Sequence, residues 1–227
     1  MKKILTKDNS ITFYNPDFKE LLHPESGAFK SINQRYLNHI KLKDNMKVLD
    51  IGYGIGYISL MILNRVKADI TALEYNKECI KNSLILHPKL KTVKILAGDA
   101  RKNIKKLKIN FDLIILDAFS TMKNPELYSV HFFRELKKRM NESSILITYN
   151  SSPIIRVGLI EAGFKLQKYK ISKYEEGTIA SFTTENLTEE DKRLIRAFGI
   201  PFYDPNLNSK KEEILSIQNP GKKINLV

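Results

Sequence analysis

The chain has 227 residues, of which 42% are hydrophobic and 28% charged, a composition that excludes a disordered chain and a collagen. Its single cysteine, Cys79, excludes an internal disulfide and a cysteine-based metal site. Residues 1–150 contain 26 basic and 15 acidic side chains, a net charge of +11, which favours a polyanionic partner such as a nucleic acid over a merely lysine-rich surface.

The first 40 residues are predicted to form a β-hairpin and a helix. Residues 2–6 and 11–14 are short β-rich runs separated by turn-forming residues. Apolar residues recur with a helical period over residues 25–40, and Glu25 or Ser26 occupies the position of a helix start.

From residue 47 onward, strands alternate with helices, which is typical of a parallel sheet covered on both faces. The predicted strands are residues 47–51, 69–73, 93–96, 111–116, 144–149, 164–169 and 178–182. The predicted helices are residues 57–66, 76–86, 125–140 and 153–162. Because no helix separates the last two strands, we expect them to pair antiparallel. The fold class is therefore α/β, Rossmann-like and doubly wound, with about seven strands and one antiparallel edge hairpin.

Two polar, helix-like segments follow at residues 189–198 and 210–217, and the residues from Pro220 are expected to fray. The predicted organisation has three parts: an N-terminal hairpin and helix (1–40), a central domain that contains the parallel sheet (41–184) and a C-terminal extension (185–227). No run of 18 apolar residues occurs, the N-terminus is unlike a signal peptide, and the four histidines are scattered. We therefore expect a cytoplasmic protein with no membrane partner and no metal.

A glycine-rich loop follows the first parallel strand. Residues 50–56 read DIGYGIG and run from a strand into a helix, where an open parallel sheet binds ligands. The third glycine comes one residue too early for the dinucleotide fingerprint G-x-G-x-x-G, and an acid precedes the first glycine. The pattern D-x-G-x-G-x-G resembles the loop of class I S-adenosylmethionine-dependent methyltransferases. A loop for another nucleotide, or for no ligand, is the alternative.

Further acids stand where successive strands end. Glu74 ends the second strand, from which a carboxylate can accept both ribose hydroxyls, and Asp99 ends the third, within reach of an adenine amino group. Asp117 follows the fourth strand, where a carboxylate can orient a substrate amine. It can also receive the proton of that amine, which must leave because an alkylammonium has no lone pair with which to act as a nucleophile. The alternatives are a solvated loop acid at Glu74 and a helix cap at Asp117.

A family resemblance covers roughly residues 10–215 and is carried by residues 11–20, 23–28, 117–120, 123–128, 149–152 and 177–181. These segments resemble the MnmC-type methyltransferases, which modify the wobble uridine of tRNA. It implies methyl transfer from S-adenosylmethionine to 5-aminomethyluridine, often 2-thiolated, which gives 5-methylaminomethyluridine. Because the chain ends at Val227, we expect it to lack the flavin-dependent domain of the bifunctional bacterial enzyme.

The resemblance also implies site residues. Those implied for the cofactor are Asp50, Gly52, Gly54, Gly56, Glu74, Tyr75, Gly98, Asp99, Ala100 and Asp117. Asp117 is implied as the acid that handles the substrate amine. Those implied for the uridine are Phe119, Lys123, Asn124 and Tyr128.

A tRNA partner, bound through its anticodon stem-loop, would account for the positive charge. Phosphate contacts are predicted, with solvated helix faces as the alternative, for Lys102, Lys105, Lys106, Lys108, Lys137, Lys138 and Arg139. The base would be read extruded and single-stranded. Candidates for stacking on it are Tyr14, Phe18, Phe119, Tyr128 and Tyr203.

Two other functions stay open. A small-amine methyltransferase, or an aminopropyltransferase of the polyamine-synthesis type, shares the fold and resembles the chain around Asp117. The net positive charge and Lys123 disfavour a polycationic substrate. A non-catalytic RNA-binding module would bind tRNA but no cofactor.

Overall fold

A computed structural model describes residues 1–216 of the chain. Ile217, the end of the last predicted helix, and the segment from Pro220 that we expect to fray lie outside the described residues. The first three strands are β1 (Lys2–Leu5), β2 (Ile11–Asn15) and β3 (Glu20–Leu21). They form a small antiparallel sheet in the order β1-β2-β3, which contains the predicted hairpin.

A second sheet has seven strands. They are β4 (Met46–Ile51), β5 (Ala68–Glu74), β6 (Lys94–Ala97), β7 (Phe111–Leu116), β8 (Met140–Thr148), β9 (Lys165–Lys170) and β10 (Glu176–Ser181). Their order is β6-β5-β4-β7-β8-β10-β9. The first five are parallel, and β10 runs antiparallel to both its neighbours. This arrangement confirms the predicted doubly wound sheet with an antiparallel hairpin at one edge.

The helices cover both faces of this sheet. They are α1 (Ala28–Arg35), α2 (Tyr57–Leu63), α3 (Lys77–Leu86), α4 (Ala100–Lys106), α5 (Val130–Lys137), α6 (Pro153–Glu161), α7 (Glu189–Phe198) and α8 (Lys211–Ser216). Short 3-10 turns occupy Leu37–His39, Pro88–Thr92 and Pro125–Tyr128. No helix among residues 1–216 is long and apolar enough to span a membrane.

Two predicted helices differ most from the structure. The helix expected over residues 25–40 begins only at Ala28, because Gly27 before it has φ +122° and is not helical. The helix expected over residues 125–140 is interrupted at Ser129, whose extended backbone starts α5 and whose hydroxyl accepts the N–H of Phe132. The predicted elements include neither α4 nor β3, although Ala100, Ile104 and Leu107 recur with a helical period in and after α4.

The terminal segments share the hydrophobic core with the seven-stranded sheet. Phe13 of β2 packs on one face together with α1 and α2. Ile195 of α7, Phe202 and Ile214 of α8 pack on the other face with α5 and α6. Both segments are therefore held against the sheet by apolar burial. The domain boundaries after residues 40 and 184 stay a prediction.

A hydrogen bond links the small sheet to α2: the backbone N–H of Ile11 donates to the Tyr57 hydroxyl at 2.7 Å. We predict that Tyr57→Phe lowers the free energy of unfolding by about 1–3 kcal/mol, because a part-buried N–H loses its acceptor. Urea denaturation measures the change. Tyr174→Phe is the matched control, since Tyr174 is 84% exposed. Equal stability of the two variants would contradict the role given to this bond.

Candidate functional site

A cavity of about 960 Å³ opens where β4, β5, β6 and β7 end. Parallel strands bring their carboxyl ends to one sheet edge, so residues distant in sequence meet there. All the residues implied for the cofactor and the uridine line this cavity except Asp50, Gly56 and Tyr128, and the stacking candidates Tyr14 and Tyr203 do not line it either.

The glycine loop forms a tight turn between β4 and α2. Gly52, Gly54 and Gly56 all have positive φ values, of +81°, +56° and +81°. A Cβ atom on Gly52 would lie 2.4 Å from the carbonyl oxygen of Asp117. Only glycine therefore fits at Gly52, both for its φ and for its close approach to the end of β7.

Asp50 lies beneath the loop, and the structure corrects its expected place in the ligand pocket. Its side chain is fully buried, and its Oδ2 accepts the Ser59 hydroxyl at 2.6 Å. No group among residues 1–216 hydrogen-bonds to its Oδ1. Burial raises the pKa of Asp50 to about 7, and the nearby charges of Asp117 and Glu74 add to this shift. Asp50 thus connects β4 to α2 and does not reach the cavity.

Glu74 joins the glycine loop to the start of α3. Its Oε2 accepts the Gly54 N–H and its Oε1 accepts the Asn76 N–H, both at 2.7 Å. Burial raises the pKa of this carboxyl, and the backbone donors oppose that shift. Each carboxylate oxygen retains capacity for a further donor. Tyr75, next to it, is 79% exposed at the cavity wall.

Gly98, Asp99 and Ala100 border the cavity where β6 ends. A Cβ on Gly98 would meet no atom within 4 Å, so the backbone faces open space there. The Asp99 carboxylate accepts the backbone N–H of Arg101 at 2.9 Å and thereby caps α4. It also pairs with the Arg101 guanidinium, at 2.8 Å.

Asp117 is held by a tyrosine from α1's C-terminal end. The Tyr36 hydroxyl donates to Asp117 Oδ1 at 2.6 Å. The Asp117 N–H donates to the Ile51 carbonyl at 2.9 Å, which fixes the backbone beside the glycine loop. Burial raises the pKa of Asp117, whereas the Tyr36 hydrogen bond and the positive charge of Arg35 lower it. The side chain still borders the cavity.

Sequence reasoning missed the residues that surround Asp117. Tyr36 is fully buried. In the sequence, its spacing from the neighbouring apolar residues indicates only that it belongs to the buried face of a helix. The Arg35 guanidinium lies 4.7 Å from the centre of the Tyr149 ring, and both residues line the cavity. Burial raises the pKa of Tyr149 to about 12, so this phenol stays protonated at neutral pH. Local sequence carries no signal for these contacts.

The loop after β7 and the segment before β3 meet across the cavity. The rings of Phe18 and Phe119 stack with centroids 4.2 Å apart. Lys123 Nζ donates to the Phe18 carbonyl at 2.7 Å and pairs with Glu20. Lys123 is therefore engaged in holding the N-terminal segment in place.

The other two residues expected at the uridine differ in position. Asn124 lines the cavity and donates to Glu126 Oε1 at 3.1 Å. Tyr128 does not line it: the side chain is fully buried, and its hydroxyl donates to the Ala118 carbonyl at 3.1 Å. This corrects its expected contact with substrate, because the 3-10 turn directs the ring into the core. Residues 208–212 form a further wall that the sequence did not predict.

The lysine clusters lie largely away from the cavity. Helix α4 runs from the cavity back toward the start of β7. Lys106 and Lys108 therefore lie toward the amino ends of the parallel strands, on the side of the sheet away from the cavity. The second cluster leads into β8 on that same side, where Lys137 donates to the Gly163 carbonyl and Lys138 pairs with Glu135. The basic residues that do line the cavity are Arg35, Arg101, Lys123, Lys210 and Lys211.

Comparison with known proteins assigns the family. The family model described as S-adenosyl-L-methionine-dependent methyltransferase matches residues 68–183. The chain belongs to this family. S-Adenosylmethionine is accordingly its cofactor, as the glycine loop indicated.

The methyltransferase is similar over nearly its whole length to MnmC2 from Aquifex aeolicus. The TM-score is 0.79 and the identity 27%, over 96% of this chain and 83% of that one. An uncharacterized protein of Methanocaldococcus jannaschii is 28% identical over 246 residues, which cover 92% of this chain and 69% of that protein.

A third relative is the tRNA 5-methylaminomethyl-2-thiouridine biosynthesis bifunctional protein MnmC of Ralstonia nicotianae. It is 33% identical over 94 residues, which cover 41% of this chain and only 14% of that protein. Together these relatives confirm the MnmC-type resemblance and the class I methyltransferase fold.

The hydrogen bond from Tyr36 gives a prediction for the acidity of Asp117. Its donated proton stabilises the carboxylate, so Tyr36→Phe should raise the Asp117 pKa and lower the ionised fraction at a given pH. Carboxyl carbon NMR titration measures this, with Asp117→Asn to assign the resonance. Tyr149→Phe is the control, because the Tyr149 hydroxyl donates to the Ala118 carbonyl and not to Asp117. An unshifted pKa in Tyr36→Phe would contradict the prediction.

Proposed function

We propose that this methyltransferase methylates the amine of 5-aminomethyl(-2-thio)uridine at the wobble position of tRNA in the cytoplasm, giving 5-methylaminomethyl(-2-thio)uridine. The observation that carries the proposal is Asp117, a half-buried acid directly after β7 with one oxygen held by Tyr36 and its side chain on the cavity. The similarity to MnmC2 over 96% of the chain supports this choice of acceptor.

The residues present at the cavity fit the cofactor. Gly98 leaves space that a Cβ would fill, and Glu74 presents a carboxylate already fixed by two backbone N–H groups. We assign Glu74 to the ribose hydroxyls, Asp99 to the adenine amino group and Tyr75 to the exposed rim. Gly52 and Gly54 let the backbone approach the ligand. Asp50 and Gly56 support this loop from below.

When bound, the cofactor supplies a methyl carbon that an amine lone pair can attack. An alkyl amine with a pKa near that of lysine, about 10.4, is mostly protonated at neutral pH and has no free lone pair. Because Tyr36 occupies Asp117 Oδ1, we assign Oδ2 to the substrate ammonium. Oδ2 orients the nitrogen and accepts its proton, and burial makes the carboxylate a stronger base than a solvated aspartate.

The uridine would lie beside the aromatic pair. Phe18 and Phe119 present stacked ring faces at the cavity, a surface on which an extruded base can stack. Lys123 fixes Phe18 through its carbonyl, and Asn124 offers an amide for the base edge. Tyr128 supports the loop through Ala118.

Methyl transfer from labelled S-adenosylmethionine to tRNA that lacks this modification tests the proposal, with nucleoside analysis of the product. We expect label in 5-methylaminomethyluridine. Asp117→Ala should lower the rate about 10²–10⁴-fold, as loss of a general base does, while cofactor affinity stays within a few-fold. Glu74→Gln should weaken cofactor binding instead. Asp69→Ala is the matched control, since Asp69 is exposed near the start of β5, at the strand end away from the cavity.

Three outcomes would contradict separate parts of the proposal. Label that appears in no RNA, with the cofactor still bound, would contradict the tRNA assignment and favour a small-amine methyltransferase or an aminopropyltransferase. Binding of tRNA without cofactor would favour the non-catalytic RNA-binding module. Retained transfer in Asp117→Ala would contradict the role of this acid.

The basic residues at the cavity predict the salt dependence of tRNA binding. Each phosphate contact should contribute a slope of about 0.7–0.9 in log affinity against log salt. Lys210 and Lys211 line the cavity, so Lys210→Gln with Lys211→Gln should weaken binding and reduce the slope by about 1–2. Lys108→Gln, toward the other edge of the sheet, is the control. Filter binding over a salt series measures this, and an affinity independent of salt would contradict the phosphate contacts.

A further inference from the structure

Arg101 connects two parts of the chain that are far apart in sequence, the end of β6 and residues 204–209. Its Nη2 pairs with Asp99 Oδ2 at 2.8 Å and its Nη1 pairs with Asp204 Oδ2 at 2.6 Å. Nη1 also donates to the Ser209 carbonyl at 2.9 Å. The Arg101 side chain is 11% exposed and that of Asp204 is fully buried, so solvent screens the second pair little.

Asp204 organises the turn that follows it. Its Oδ1 accepts the N–H groups of Asn208 at 3.1 Å and Ser209 at 3.0 Å. Its own N–H donates to His131 Nδ1 at 3.2 Å. Burial raises the pKa of Asp204, but these donors and Arg101 outweigh it and lower the pKa overall. Residues 204–209 are thereby held as one ordered turn.

This turn leads directly into the cavity wall. Residues 208–212 line the cavity together with Gly98 and Asp99, the end that the proposed function assigns to adenine. Fully buried Phe202 and Ile214 anchor the segment on either side. The Arg101 pairs therefore join one cofactor residue to one wall of the same pocket.

Arg101 also restricts the orientation of the Asp99 carboxylate and the number of further hydrogen bonds that it can accept. Oδ1 accepts both the backbone N–H of Arg101 at 2.9 Å and its Nε at 3.1 Å. Oδ2 accepts Nη2 at 2.8 Å and shares the Nε donor with Oδ1, at 3.2 Å, and it retains capacity for one further donor. A planar guanidinium that holds a carboxylate with two nitrogens fixes its orientation as well as its charge.

We propose that Arg101 is a positioning residue for the cofactor: it orients Asp99 toward the adenine 6-amino group and holds residues 204–212 as the wall of the adenine end. The proposal rests on the assigned adenine contact of Asp99 and on S-adenosylmethionine as the cofactor. It does not depend on the methyl acceptor, so its test contains no RNA.

Calorimetry with S-adenosylhomocysteine and its inosine analogue, which lacks the 6-amino group, tests the orientation of Asp99. The wild-type protein should prefer the adenosine compound. Arg101→Gln should weaken that compound by about tenfold, as expected for one lost hydrogen bond to a charged group, and bring the ratio of the two affinities toward one. Lys102→Gln, which removes the same charge from the exposed next residue, should change neither value.

Asp204→Asn should act in the same direction, because Arg101 loses its buried partner. The double variant Arg101→Gln with Asp204→Asn should bind no more weakly than Arg101→Gln alone, since both changes break one network. If Arg101→Gln does not fold, Arg101→Lys keeps the charge without the planar fork and should show the same fall in preference. A folded Arg101 variant with the wild-type affinity and preference would overturn the orienting role.

Limited trypsin digestion tests the wall. Lys210 and Lys211 are cleavage sites within it, and S-adenosylhomocysteine should slow cleavage there in the wild-type protein but not in Arg101→Gln. Equal cleavage rates with and without the ligand in the wild type would overturn the proposed wall. Failure of methyl transfer to tRNA would leave both of these binding results unchanged.

Discussion

The approach of the Gly52 backbone to the carbonyl of Asp117 is the constraint on which the site depends. A single added methyl group at Gly52 would lie 2.4 Å from that oxygen. The contact joins the loop after β4 to the end of β7, two neighbouring strands of the sheet. It thereby sets the separation between the cofactor loop and the acid assigned to the amine. Rate depends on such a separation, because the reacting groups must be held at a near-attack distance.

The site places several acids where solvent access is restricted, and each carboxylate is stabilised by its own hydrogen-bond donors. Glu74 takes two backbone N–H groups, and Asp117 takes the Tyr36 hydroxyl. Among residues 1–216, only Ser59 donates to the Asp50 side chain, and burial moves the pKa of Asp50 to about 7. Of these three acids, the most buried is thus the one closest to neutrality, as the cost of burying an unpaired charge requires. A positively charged sulfonium cofactor suits a pocket of this polarity.

The cavity is closed by parts of the chain outside the seven-stranded sheet. On one side Lys123 holds the segment around Phe18 against the loop after β7. On another, Arg101 holds the turn after Asp204. Each connection is a hydrogen-bonded charge between a residue that follows a strand of the sheet and a segment nearer one end of the chain. The sheet supplies the strand-end acids, and these segments give the cavity its enclosure.

The sequence alone determined the α/β fold, the glycine loop and the acids at the strand ends. It could do so because strand and helix periods are local, and because parallel strands necessarily bring their carboxyl ends to one edge. Only the tertiary structure showed that Asp50 is buried below the pocket and that Tyr36 holds Asp117. Tyr36 and Asp117 are 81 positions apart, and Arg101 and Asp204 are 103 apart. Such partners are chosen by packing across the fold, and no short-range pattern in the sequence records that choice.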